Sequence, residues 1–273
     1  MSNTFVVNNG QSLANPCRTV LGYRNSLIGT TFIGIEDAAY PMAMAFDDSY
    51  HTEFSPMAPS SSQYDFYFSS LQDLNYFSIC SKNAGQSGLN VSVLVFRGST
   101  ASYYTVASFG SMTDGKPVMV YFGDLFPSGY ADTVRLRVVL TYTSKPYIMS
   151  MMCGKGIVFP RTMSTGFQPA FAAYLDDVEQ FYADDGLNMV AGRRLAKGKQ
   201  LRGSINFVKM STLKEFWNEY TNHVLNSKPI SLLWNTKMPD ECIYGLQVPD
   251  RHTKPAYKNS QFSQVDFEVI GWA

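Results

Sequence analysis

Thr133-Val134-Arg135-Leu136-Arg137-Val138-Val139-Leu140-Thr141-Tyr142 decides the fold class. Val134, Leu136, Val138, Leu140 and Tyr142 take every second position, with Arg135, Arg137 and Thr141 between them. Side chains of a strand alternate between faces, so this pattern predicts a β-strand with one buried and one wetted side. Tyr64, Phe66 and Phe68 alternate in the same way with Gln63, Asp65 and Tyr67, and Leu89, Val91, Val93 and Val95 repeat the period. The connecting stretches Lys82 to Gly88, Thr113 to Lys116 and Pro127 to Gly129 are loaded with residues that tolerate turn geometry. Strands at such short spacing, with no helix between them, predict an antiparallel β-sandwich.

Beyond Gly154-Lys155-Gly156 and the passage Phe159 to Gly166 the texture changes. We place a domain boundary near Arg161, with a sandwich over residues 1–160 and a second, mainly β domain over residues 161–273. Thr212-Leu213-Lys214-Glu215 has the form of a capping box, predicting a helix near 212–226. Leu213, Phe216, Trp217, Tyr220 and Val224 follow at helical spacing, and Pro229 lies past the end. Strands are expected at Gly203 to Val208, Ile230 to Trp234, Ile243 to Val248 and Val265 to Ile270, the last with Asp266 and Glu268 on its outer face.

A length of 273 residues suits two cores. Charged residues make up only 16% of the chain and sum to zero, so no overall field draws the protein to nucleic acid or to an anionic membrane. No apolar run approaches the roughly 18 residues that span a bilayer, so no membrane insertion is expected. Met1 to Gly10 lacks a basic segment followed by an apolar one, which argues against a signal peptide. Cys17, Cys80, Cys153 and Cys242 are scattered without a CxxC pair, and His51, His223 and His252 have no further ligand types at metal-binding spacing. Synthesis in a reducing cytoplasm, with the cysteines as small buried apolar groups, is the simplest reading. No nucleophile elbow, phosphate loop or dinucleotide fingerprint occurs, so neither a cofactor nor a catalytic group is expected.

Three constellations remain. Asp47 and Asp48 lie between aromatics in Ala45-Phe46-Asp47-Asp48-Ser49-Tyr50-His51-Thr52-Glu53-Phe54, where carboxylates and hydroxyls bend a backbone turn or, at Asp47 and Thr52, offer oxygens to a hard cation. A glycosidase needs two acids facing each other across a sugar, which adjacent aspartates do not provide. Tyr50, Tyr103 and Tyr104 are aromatics suited either to stacking on a glycan or to ordinary sheet packing. The most polarised region sets Asp176, Asp177, Glu179, Asp184 and Asp185 before Arg193, Arg194, Lys197, Lys199 and Arg202. It reads either as a hairpin whose two sides neutralise each other or as complementary patches that join copies head to tail in a ring.

Ala45-Phe46-Asp47-Asp48 to Thr52-Glu53-Phe54-Ser55 resembles the opening loop of the galactose-binding-like, or discoidin, sandwich, and Thr133 to Val138 with Ile148-Met149-Ser150 resembles that family's closing strands. Asp48 stands where the family has glycine, and Phe54 where it has tryptophan. The later order is Gly186 to Arg202, the Phe216-Trp217 helix, Ile230 to Trp234 with Pro239-Asp240-Glu241, then Val265 to Val269. It resembles tail proteins of long-tailed bacteriophages, in which such a sandwich precedes a distal-tail-like β domain. The resemblance implies a structural virion protein of the tail tip or baseplate, made in the host cytoplasm. It would be partnered by its own copies in a ring, by other tail proteins and by a host-surface glycan if the sandwich binds one.

Overall fold

The computed structural model describes residues 5–6, 17–47, 52–110, 112–124, 132–164, 166–169, 174–182, 189–248, 256–257 and 261–272. Strands are numbered along the chain. A six-stranded sheet runs in the order Phe5–Val6 (β1), Ser102–Phe109 (β7), Asn90–Arg97 (β6), Thr133–Thr141 (β9), Ser61–Gln72 (β4) and Thr31–Ile33 (β3). A three-stranded sheet runs Ile148–Gly154 (β10), Tyr76–Ser81 (β5) and Val118–Tyr121 (β8). Every pairing is antiparallel, so the protein is mainly β and the expected sandwich is present.

The alternation in β9 places Leu136, Val138 and Leu140 inward, beside Tyr64 and Phe66 of β4 and Val91, Val93 and Val95 of β6. They meet Phe77, Ile79, Val118, Val120, Met151 and Cys153 of the three-stranded sheet in one core. Phase is lost at one end of the strand. Thr133 is buried and Val134 only half-buried, because the pairing slips between Phe96 and Arg97 on one side and between Tyr67 and Gln72 on the other. A slip of one residue exchanges the two faces.

The third sheet runs Ile157–Phe159 (β11), Thr19–Gly22 (β2), Ile230–Leu233 (β14), Cys242–Gln247 (β15), Phe262–Trp272 (β17), Met189–Lys209 (β13) and Tyr174–Tyr182 (β12), with Ala256–Tyr257 (β16) also on β17. The three-stranded sheet is buried on both faces: Tyr76, Met119 and Met152 pack against Val20, Leu233, Cys242 and Tyr244 of this sheet. Ser231 donates to Ser78 at 2.8 Å across the junction, and the Met119 amide donates to the Pro239 carbonyl at 2.9 Å. The approach is close enough that a Cβ on Gly22 would lie 2.5 Å from the Tyr76 ring. Cys80, Cys153 and Cys242 are buried free thiols, and burial pushes Cys80 up to about 12.

Strands β2 and β11 pair with each other, Leu21 opposite Ile157, and β2 pairs with β14. Apart from β1, the sandwich strands therefore occupy the chain between two neighbouring strands of the third sheet. A cut at residues 160 and 161 separates those two strands from the sheet they belong to.

The helix Met210–Leu225 covers the far side of the third sheet with Leu213, Phe216, Tyr220 and Val224, as the spacing predicts. Its start corrects the expected capping box. Lys209 is the N-cap and no side chain caps it; Thr212 lies inside the first turn. The Met210 amide instead donates to the Gln261 carbonyl at 3.0 Å, because the helix continues directly from β13 beside β17. The outer position expected for Glu268 is also corrected. It is only 7% exposed, taken in by the Arg202 guanidinium (2.9 and 3.1 Å) and the Gln200 amide (2.7 Å).

Candidate functional site

Strand β13 is 21 residues long, and only its second half, from Lys199 to Lys209, pairs with β17. Its first half, residues 189–198, pairs with β12 and has no strand on its other side among the described residues. The charge-divided stretch is this two-stranded ribbon. Register sets Asp176 opposite Lys197 and Glu179 opposite Arg193, while Asp177 faces Ala196 and Arg194 faces Val178. Acidic and basic residues are thus brought together within one chain. Lys199 lies where the ribbon joins the sheet, opposite Gly271, and Arg202 is committed to Glu268. Asp184 and Asp185 lie outside the described residues.

The outer face of the six-stranded sheet carries a second constellation. Tyr67, Arg135, Phe96 and Tyr103 come from four adjacent strands and stand opposite one another in a single transverse row. The Arg135 guanidinium lies 4.3 Å from the Tyr67 ring centre and 5.1 Å from that of Phe96, and Nη1 donates to the Tyr103 hydroxyl at 3.2 Å. Phe96 and Tyr103 pack edge to face at 5.0 Å. In the next row Arg137 stacks 4.1 Å over Tyr103 and grips Asp65 with two hydrogen bonds, 2.7 and 2.9 Å. Asp65, Tyr103 and Tyr67 raise the charged preference of these arginines, but the largest cause for Arg135 is its hydrogen bond to Tyr103 and for Arg137 its bond to Asp65. All four residues of the first row are half-buried.

Of the expected glycan contacts, only Tyr103 belongs to this row. Tyr104 is opposite Val95 and packs against the sandwich core, a correction that follows from the register shift between Val93 and Leu94. Tyr50 lies outside the described residues. Arg135, Arg137 and Tyr67 are outward positions of the alternating strands read from the sequence, but nothing there places Tyr67, Phe96 and Tyr103 in one row with Arg135.

Asp47 and Thr52 do meet. The Thr52 hydroxyl donates to Asp47 Oδ1 at 2.8 Å, with the Met44 carbonyl at 3.4 Å. Among the described residues no group of three or more His, Cys, Asp or Glu side chains forms a metal-binding cluster. The contact lies just beyond the short 3-10 helix Met42–Ala45, whose Met42 and Ala45 are buried in the sandwich core. Elsewhere, two adjoining clefts of about 540 and 390 Å³ share Cys17, Thr162 and Met163. The first contains Asn206, whose Nδ2 donates to Ser164 at 2.8 Å and whose buried Oδ1 has no partner. Its neighbour Phe207 adopts φ 60° where β13 bulges between Ile205 and Val208.

No protein-family model and no curated protein matches the chain. Among solved structures, it is similar to chitosan-binding module 1 of a chitosanase/glucanase from Paenibacillus sp. IK-5, at 17% identity over 48% of this chain and 99% of that one, with a TM-score of 0.39. It is similar to a fucose-binding module of Streptococcus pneumoniae at 8% identity, over 48% and 98%, with a TM-score of 0.37. A Ruminococcus gnavus GH29 fucosidase in complex with fucose matches at 10% identity and a TM-score of 0.37. The match covers 48% of this chain and 26% of the fucosidase, so the chain spans about a quarter of that enzyme's length.

Proposed function

We propose that this is a non-enzymatic assembly protein whose third sheet joins copies of the chain into a ring and whose sandwich is displayed by that ring. The observation that carries this reading is the β12–β13 ribbon, in which residues 189–198 of β13 have β12 as their one strand neighbour among the described residues. Two-stranded ribbons are marginal on their own, and a free strand edge is a ready template for another chain. Because acidic and basic residues already oppose each other inside the ribbon, association uses its backbone edge and packing rather than two separated charge patches. Contact between two different surfaces closes into a ring when the rotation between copies allows it. The setting we propose, from the order of elements, is the tail tip or baseplate of a phage virion, with other tail proteins as partners.

Sedimentation of the full chain over a range of concentrations tests the assembly. A discrete oligomer is expected, converted to monomer when residues 176–196 are replaced by a short Gly/Ser turn. A chain that is monomeric throughout overturns the reading, and its absence from purified virions overturns the tail placement.

A second reading has its own observation. The half-exposed row Tyr67, Arg135, Phe96 and Tyr103 supports a glycan-binding role for the sandwich, in which the displayed domain contacts a host-surface saccharide.

A further inference from the structure

The arginines whose side chains the structure describes divide by what neutralises them. Arg18, Arg24, Arg97, Arg137 and Arg202 each face a carboxylate: Asp124, Glu219, Asp132, Asp65 and Glu268. Arg161 stacks on an exposed ring, Phe207, and is itself exposed to water. Arg135 is different from both groups. It is half-buried between Tyr67 and Phe96, no carboxylate of a described residue forms an ion pair with it, and its Nε is buried without a hydrogen-bond acceptor. The Tyr103 hydroxyl takes one N–H and leaves the guanidinium its full charge. Since Asp65 is occupied by Arg137 through both oxygens, the two rows together carry one uncompensated positive charge.

We propose that this face binds an acidic saccharide, with its carboxylate or sulfate on the Arg135 guanidinium. The proposal rests on the reading of the sandwich as a glycan-binding domain and names the chemistry of its ligand. A guanidinium held between rings cannot turn away from the face, and its planar donors match the oxygens of a carboxylate or sulfate. Removed in part from water by the rings, it attracts an anion more strongly than a fully solvated arginine does. The ring edges beside it offer apolar surface to the C–H groups of a sugar.

Size favours a small ligand over a protein. Four strands span three inter-strand spacings, roughly 14 Å, and two rows add only about 7 Å along the strands. Such a patch is far below the ~800 Å² per partner of a stable protein interface. A short oligosaccharide is the right scale.

Titration calorimetry on the full chain, with matched acidic and neutral sugars, tests this. The probes are trigalacturonate against its methyl ester, 3′-sialyllactose against lactose, and 3′-sulfolactose as the sulfate source. At least one acidic sugar is expected to bind tenfold or more tighter than its neutral partner, with the difference shrinking as salt is added. Arg135→Gln, with its melting temperature measured alongside, is expected to reduce that preference to under twofold. Tyr103→Phe keeps the ring and removes only the hydroxyl that anchors Nη1, and is expected to weaken acidic binding severalfold and more than it weakens neutral binding. Equal affinity for acidic and neutral sugars, or a preference untouched by both variants, overturns the proposal while leaving the glycan reading standing. Failure to bind any of these sugars, or a wider glycan array, overturns both.

Discussion

Desolvation works against the carboxylate of Asp132, yet hydrogen bonds from the Arg97 guanidinium and from the Ser99 hydroxyl and amide outweigh it and hold its pKa at about 2. The folded value lies below that of an unfolded aspartate, about 3.9. The ionised form therefore stabilises the fold above that range, and the contribution is lost as pH falls through about 4 toward 2. Asp132→Asn is expected to be less stable than the parent at pH 6 and to converge with it near pH 2, as measured by urea unfolding across that range. Parallel curves at all pH values would mean that the Arg97 pair adds nothing. The same scale shows what sequence cannot supply. Alternation put Arg135 and Arg137 on an outer face, but Tyr67, Phe96 and Tyr103 come from three other strands, and register alone brings them into one row with Arg135. Tyr103 and Tyr104 look equivalent as neighbours, and one bulge decides which of them faces the core.

Elements were more legible than residues where burial has a period. The face Leu213, Phe216, Tyr220 and Val224 follows from helical spacing, and it is buried as a unit against Ile205, Ile230 and Phe267. The helix start was not legible, because a local capping pattern competes with a tertiary solution in which the strand before the helix and a carbonyl of Gln261 fix the first turn. These two statements predict opposite outcomes for two substitutions. Thr212→Ala removes no cap and is expected to change stability by no more than about 0.5 kcal/mol. Phe216→Ala empties a site packed edge to face against Phe159 at 6.3 Å and is expected to cost about 3–5 kcal/mol. Chemical denaturation of both variants checks this, and a large loss in the threonine variant alone would restore the capping box. The charge-divided stretch could be read as a hairpin, but not the length of its ribbon, since periodicity does not reveal that a strand outlasts its neighbour.

At the scale of the whole molecule the sandwich and the third sheet are tied by more than a linker. Apart from β1, the sandwich strands lie between β2 and β11, yet both of these belong to the third sheet, and Leu21, Tyr23 and Phe159 are part of the core under the helix. Tyr76, Met119 and Met152 of the sandwich cover Leu233, Cys242 and Tyr244. Residues 161–273 alone would lose β2 from beside β14, leaving Ser231, Leu232 and Leu233 without the partners Gly22, Leu21 and Val20. They would also bare an apolar sheet face beside an open strand edge, the combination that drives aggregation. That fragment is therefore expected to be unfolded or insoluble, and the full chain to unfold in one calorimetric transition rather than two. A soluble fragment 161–273 with a cooperative melt of its own would contradict this, because it would mean that neither β2 and β11 nor the contact with the three-stranded sheet is needed to complete the second core.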